Sequence, residues 1–274
     1  MELRFSPLFS GSSGNATYVG CDDAHILVDA GLSGTRVTQE LMKVGVNPAV
    51  LSAILVTHEH SDHIKGIGIL SRKYDLPVFA TEGTWREMYG KIGAISPRNM
   101  RIFEPGQDFY IGSIDVTPFA TPHDAGQPVG YTFEISGAKL AIATDLGSVR
   151  DSWLKYVKGA DAVILESNYD PGMLETGPYP YDLKKRIMGR HGHLSNDDAG
   201  EVAAELAKNG TRQIILGHLS KENNYPELAL QCTLSALKLA GLEAGGDVRV
   251  MVASRDCNSG MYSVTAALQE MRYL

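Results

Sequence analysis

The chain has 274 residues, of which 43% are hydrophobic, 8% aromatic and 21% charged, a balance that allows a sizeable core and excludes a disordered chain. Its 25 Lys and Arg against 32 Asp and Glu leave a net charge of −7, which excludes a polycation that holds nucleic acid with its whole surface. Three scattered cysteines, Cys21, Cys232 and Cys257, exclude a disulfide framework or a Cys-x-x-Cys site and fit a reducing compartment.

No apolar run approaches the roughly 18 residues of a membrane span, and the start MELRFSPLFSGSSGN lacks the basic and long apolar regions of a signal peptide. The expectation is a soluble, cytoplasmic protein with no membrane partner. Neither a Pro/Ser-rich linker nor a charge block divides the chain, so a single α/β domain over 1–274 is expected.

The first elements read as a β-meander: Leu3 to Leu8, Ala16 to Val19 and His25 to Asp29, with the Gly-rich turn Ser10 to Asn15 between the first two. Val37, Leu41 and Val44 recur at helical spacing and stop at Gly45. Ser52 to Val56 is a short apolar run of buried-strand type that opens directly into Thr57-His58-Glu59-His60-Ser61-Asp62-His63. Antiparallel strands are expected over Asp108 to Phe119, Val129 to Ile135 and Lys139 to Ala143. A strand over Asp161 to Leu165 follows, then a helix with Ala199, Val202, Ala203 and Leu206 on one face, then a strand over Gln213 to Leu216. Gly-His-Leu-Ser occurs at 192–195 and again at 217–220, too short a match to argue duplication.

The strongest chemical signal is His58-x-His60-x-Asp62-His63, which gathers four potential metal ligands within six residues just past an apolar strand. An HExxH zincin motif is excluded because position 62 is aspartate. His123, Asp145 and His218 each follow the C-terminal end of an apolar strand. Loops at that edge form the ligand crevice of α/β folds, so strands distant in sequence can deliver all of these groups to one place. His25, at a strand start, and His191, in a basic loop, lack that context and are read as surface or structural residues. The set is too large for one tetrahedral zinc and suits two divalent metals with open positions. Two such cations opposed by Asp62 and Asp145 leave the site positive, which favours an anionic substrate. Imidazole and carboxylate donors are compatible with Mn, Zn or Fe.

These ligands resemble those of the dinuclear hydrolases of the metallo-β-lactamase fold. The whole chain resembles compact YycJ/WalJ-type members, similar to 5′-exonucleases. The resemblance is carried by SGSSGNATYVG (10–20), LVDAGLSG (27–34), ILVTHEHSDHIKGIG (54–68), ATEGTW (80–85), ATDLG (143–147), LESNYD (165–170), GPYP (177–180), GHLSNDDAG (192–200) and LGHLSKENN (216–224). It implies a four-layer αβ/βα sandwich of two mixed sheets with the metals at the strand edge between them. It implies that His58, His60 and His123 hold one metal, that Asp62, His63 and His218 hold the other, and that Asp145 bridges them. A true β-lactamase commonly has a cysteine where this chain has Asp145. Only residues 146–192 lie between Asp145 and His193, too few for the inserted second domain of the larger nucleic-acid-processing relatives.

The reaction expected from this resemblance is phosphodiester hydrolysis of nucleic acid with a 5′ end, DNA or RNA, with Asp62 helping to orient the attacking water. His193 is the candidate proton donor to the leaving oxygen and Glu166 the group that orients it. Ser195 can cap the following helix, with Asp198 at capping-box spacing, and is a further candidate for substrate contact. Lys184, Lys185, Arg186 and Arg190 against Asp182 form a local basic run beside His193, suited to phosphate although such a run is ordinarily a solvated face. The turn with Ser12, Ser13 and Asn15 offers hydroxyls and backbone N–H groups to a 5′-phosphate. The alternatives are a dinuclear hydrolase of a small thioester, lactone or phosphodiester metabolite, and a non-enzymatic protein that uses the metals structurally.

Overall fold

The structure is a computed structural model that describes residues 1–264; the end of the expected 1–274 domain lies outside the described residues. The N-terminal half contains β1 (Leu3–Phe9), β2 (Ala16–Gly20), β3 (His25–Val28), α1 (Gly34–Lys43), β4 (Ala53–Leu55), α2 (Ser61–Ile64), α3 (Ile67–Tyr74), β5 (Val78–Ala80), α4 (Glu82–Met88) and β6 (Met100–Ile102). Local chemistry sets the ends of α1. The Ser33 hydroxyl accepts from Arg36 N–H at its start, and Gly45 takes a left-handed φ of +81° just beyond its end, where a side chain would be strained.

The C-terminal half contains β7 (Phe109–Ile111), β8 (Ile114–Ala120), β9 (Val129–Ile135), β10 (Ala138–Ala143), α5 (Asp151–Val157), β11 (Ala162–Glu166), α6 (Pro171–Thr176), α7 (Tyr181–Ile187), α8 (Asn196–Lys208), β12 (Gln213–Gly217), α9 (Pro226–Leu239), β13 (Arg249–Val252) and β14 (Tyr262–Val264). One expectation is corrected here. Asp108 to Phe119 is not one strand but the hairpin β7–β8, with Ile111 paired to Ile114. Gly112 turns the chain at φ +55°, a conformation that breaks an extended run.

The described strands form two seven-stranded sheets, ordered β14-β1-β2-β3-β4-β5-β6 and β13-β12-β11-β10-β9-β8-β7. Both are mixed, with β3 to β6 parallel in the first and β10 to β13 parallel in the second. Alternation of side chains explains why their central strands read as unbroken apolar runs. Leu140 and Ile142 of β10 and Ala162 and Ile164 of β11 enter the core between the sheets, beside Ile26, Val28 and Leu55. The intervening Ala141, Ala143, Val163 and Leu165 pack outward with residues of α5, α8 and α9. On the other side, Leu27 and Ile54 pack with Val37 and Leu41 of α1 and with Ile67 and Leu70 of α3. The layers are therefore helix, sheet, sheet, helix. No helix among the described residues is long and apolar enough to cross a membrane.

This arrangement puts the C-terminal ends of β3, β4, β8, β10, β11 and β12 along one edge between the sheets. Two bonds across the sheets clamp the segment before His58: Tyr131 O–H donates to Val56 O at 2.6 Å, and Val129 N–H donates to Thr57 O at 3.0 Å.

Candidate metal centre

His58 and His60 lie in the loop after β4, and Asp62 and His63 lie on the single turn of α2. His123 follows β8, Asp145 follows β10 and His218 follows β12. The strand edge brings all seven together. His58, His60 and His123 form one group of converging donor atoms, and Asp62, His63 and His218 form another. His58 Nε2 is 3.0 Å from His60 Nδ1, and His123 Nε2 is 3.4 Å from the same atom. In the other group, Asp62 Oδ2 is 3.5 Å from His63 Nε2 and 3.7 Å from His218 Nε2. Asp145 lies between the groups: its Oδ1 is 3.6 Å from His123 Nε2 and its Oδ2 is 3.6 Å from His63 Nε2.

These residues fit metal ions. Donors that hold one ion at about 2.0–2.2 Å stand roughly 2.9–3.6 Å from each other in tetrahedral or octahedral geometry, close to the spacings above. Asp145 Oδ2 and His218 Nε2 are buried and have no hydrogen-bond partner, a costly state for polar atoms that a cation would relieve. The electrostatics agree. Burial pulls His63 down, but the carboxylates of Asp145, Asp29 and Asp62 outweigh it and raise its pKa to about 9. His218 is raised in the same way, against burial, by Asp145, Asp62 and Glu166. His58 is held well below its ordinary value by burial and by the surrounding histidines. Protons thus collect beside the carboxylates, where cations would also be drawn.

A surrounding shell fixes which ring nitrogen faces inward. His123 Nδ1–H donates to Gly192 O at 3.0 Å, leaving Nε2 toward the cluster. His63 Nδ1–H donates to Asp29 Oδ2 at 2.8 Å. Asp29 is itself held by Thr57, whose N–H donates at 2.9 Å and whose hydroxyl donates at 2.7 Å. Asp29, Asp145 and His218 adopt left-handed backbone at φ +60°, +59° and +57°, conformations that non-glycine residues keep only where surrounding contacts hold them. Gly31 is equally constrained, because a Cβ there would lie 1.6 Å from Asp62 O. Asp29 did not stand out in the sequence, although it follows an apolar strand as Asp145 does. Asp29→Ala is expected to weaken metal binding by about 10- to 100-fold, the usual effect of losing a carboxylate that orients a ligating histidine. Metal titration monitored by calorimetry tests this, and unchanged affinity would show that the contact is incidental.

Glu166, at the end of β11, is fully buried. Its Oε1 accepts from His193 Nδ1 at 2.8 Å and His218 Nδ1 at 2.9 Å, and its Oε2 accepts from Leu146 N–H and Leu194 N–H at 2.7 and 3.1 Å. Burial opposes its charge, but His193, His218 and these bonds keep the carboxyl well below its usual range. The two Gly-His-Leu-Ser copies therefore deliver histidines to one carboxylate. His193 is the open member of the pair, with 20% of its side chain exposed against 2% for His218.

The other expected contacts divide. Ser12 and Ser13 line the cleft above the cluster. Asn15 turns inward instead, with its amide 3.0 Å from His63 Nε2 and its Oδ1 accepting from Gly11 N–H at 3.0 Å; it braces the turn against α2 and is not an open anion contact. Ser195 is taken up by the capping box of α8, accepting from Asp198 N–H and donating to Asp198 Oδ2, so its hydroxyl is not free for substrate. Arg186 forks onto Asp124 at 2.5 and 3.1 Å, and Asp124 Oδ1 is 3.5 Å from His123 Nε2. Lys184 Nζ donates to Glu175 O at 2.8 Å, while Lys185 and Arg190 are exposed. Of the two histidines set aside, His25 is half-buried with its ring against the Tyr18 hydroxyl at 2.7 Å, and His191 is exposed.

Residues 24–219 match the family described as a β-lactamase superfamily domain. The chain is 46% identical over 246 residues to the exodeoxyribonuclease YycJ of Bacillus anthracis, covering 89% of this chain and 93% of that one. It is 42% identical over 256 residues to the exodeoxyribonuclease WalJ of Streptococcus pneumoniae serotype 2, covering 93% of this chain and 95% of that one. The metallo-β-lactamase fold protein YhfI of Bacillus subtilis superposes with a TM-score of 0.70 at 16% identity, covering 96% of this chain and 100% of that one. At that identity the likeness speaks for the fold alone. With its two mixed sheets and the donor cluster at their common edge, the chain belongs to the β-lactamase superfamily, as a metallo-β-lactamase-fold member of the YycJ and WalJ type.

Proposed function

We propose that this protein is a metal-dependent exodeoxyribonuclease that acts in the cytoplasm as a single domain over 1–274 and attacks DNA from a 5′ end. The observation that carries this reading is the 46% identity to a relative named exodeoxyribonuclease over 93% of its length. The geometry supplies the chemistry. His58, His60 and His123 would hold one divalent ion, and Asp62, His63 and His218 the other, with Asp145 facing both; Mn, Zn and Fe suit these donors. Two such ions supply Lewis-acid activation of water and offset the charge of a phosphodiester.

The chain's own groups do the rest. Asp62, partly exposed beside the cleft, orients the attacking water, and Asp29 holds His63 in place through Nδ1. His193, braced at Nδ1 by Glu166 and still partly exposed, donates the proton that the leaving oxygen needs. The basic helix α7 is joined to this group, since His193 N–H donates to Ile187 O at 3.0 Å. Ser12 and Ser13 stand at the cleft for the terminal phosphate. A hydrolase of a small thioester, lactone or phosphodiester would use the same donors but has little need for a basic helix beside its proton donor.

Incubation of the Mn-loaded protein with end-labelled DNA and RNA strands tests the reading. Stepwise loss from the 5′ end of DNA, stopped by a chelator, is the expected result; hydrolysis of small esters with every strand left intact would overturn it. Replacing the exposed Lys185 and Arg190 by Gln is expected to weaken strand binding while metal content stays the same. The plot of log K against log salt should flatten by about 0.7 for each single-strand phosphate that the variant no longer neutralises. An unchanged slope would make this run a solvated face.

A further inference from the structure

The cleft above the cluster has a volume of about 640 Å³, and Lys65 and Lys91 line it together with Ser12, Ser13 and Asp62. The segment that carries Lys91 also borders a second cavity. Gly90 and Ile92, on either side of Lys91, line an apolar groove of about 420 Å³ with Trp85, Met88, Tyr89 and Met100, a size within the range of ligand sites of roughly 300–1,000 Å³. The segment is held in shape. Arg72 Nη1 donates to Ile92 O at 3.1 Å and Ala94 O at 2.9 Å, and the left-handed glycines Gly90 (φ +79°) and Gly93 (φ +72°) bracket it. Trp85 is fixed within the groove lining, 8% exposed, with Nε1–H donating to Arg101 O at 2.9 Å. Tyr89 is 87% exposed, an aromatic ring left in water beside the buried Met88.

We propose that this groove receives a nucleobase of the single-stranded nucleic acid whose phosphate lies in the cleft, with Tyr89 as its stacking surface and Lys91 as the phosphate contact between the two cavities. The inference rests on the nuclease reading and extends it. Three observations carry it. One three-residue segment serves both cavities, with Lys91 at the cleft and its neighbours Gly90 and Ile92 at the groove. The charges of Lys65 and Lys91 in the cleft match a phosphate backbone. The groove lining is apolar, and its one indole donor is already engaged by Arg101 O. Such a surface recognises the flat face that every base has and reads no hydrogen-bond pattern. An exonuclease that steps along a strand must accept each base in turn, and a groove without a donor code meets that need.

The test compares wild type, Tyr89→Ala and Tyr89→Phe on single-stranded oligothymidylate, intact or with one abasic residue moved stepwise from the attacked end. Tyr89→Ala is expected to lower kcat/KM by roughly 5- to 150-fold, the range for loss of one base–aromatic stack, and Tyr89→Phe to retain it. One abasic position should impose a similar loss on wild type, and that loss should not add to the loss from Tyr89→Ala. No loss in Tyr89→Ala, or losses that add at every abasic position, would overturn the stacking while strand shortening by wild type leaves the nuclease reading intact. If wild type shortens no strand, the nuclease reading fails and the stacking fails with it.

Discussion

Asp145→Ala is expected to abolish hydrolysis and to strip the protein of metal, the largest effect of any single change proposed for this site. Each oxygen of Asp145 is 3.6 Å from a histidine nitrogen of a different donor group, so this one carboxylate faces both groups. Without it, two divalent cations would stand close together with only Asp62 among the donors to offset their charge, and their mutual repulsion would go largely unopposed. Asp145 is also buried with left-handed backbone, a strained position that is hard to explain unless the side chain is required there. Metal content by elemental analysis, measured beside an activity assay, decides the matter. A variant that stays fully metallated and fully active would refute the ligand assignment. Asp145→Asn, which keeps the shape and removes the charge, separates the electrostatic role from packing: it should fold as wild type does and still lose metal.

His193→Ala is expected to behave differently, keeping both metals and nearly normal substrate affinity while the catalytic rate falls by about 10² to 10⁴, the usual contribution of general acid–base catalysis. The geometry supports a proton donor. Glu166 is buried and accepts from His193 Nδ1 at 2.8 Å, which fixes the ring, and His193 keeps 20% of its side chain exposed. The defect should shrink on a diester with a nitrophenolate leaving group, which departs without a proton. A merely structural role predicts equal losses on both substrates together with a lower melting temperature. Equal fold-losses in a protein that remains folded would end the general-acid assignment. Glu166→Gln extends the test. It should weaken both the proton donor and the metal group that contains His218, since the same carboxylate oxygen serves both histidines.

Much of the site could be read from the sequence because its chemistry is concentrated. His58 to His63 place four donors on a loop and one turn of helix, and few structural roles require such a run. His123, Asp145 and His218 were legible through a weaker rule, the placement of polar residues just past apolar strands. Asp29 obeys the same rule, and only its bond to His63 distinguishes its role. Ser195 shows the opposite failure. Its hydroxyl suits phosphate as well as it suits a helix cap, and residue type cannot separate the two uses. Asn15 turned inward for a similar reason, since the direction of a side chain in a Gly-rich turn depends on what packs over it. The Asp108 to Phe119 stretch reads as one strand by propensity, and Gly112 breaks it.

By itself the sequence showed apolar runs with polar residues just past their ends and the clustered candidate donors, because side-chain periodicity and ligand type are local properties carried by neighbouring residues, while the layers and the grouping of the donors came from the family resemblance. The convergence of His193 and His218 on one oxygen of Glu166, the bond from His63 to Asp29 and the placing of Lys91 at the cleft beside the groove lined by Gly90 and Ile92 were decided only by the tertiary structure. Those relations join residues tens of positions apart. Their distances depend on how two twisted sheets pack and on which loop backbones the packing strains, and no local pattern along the chain encodes either.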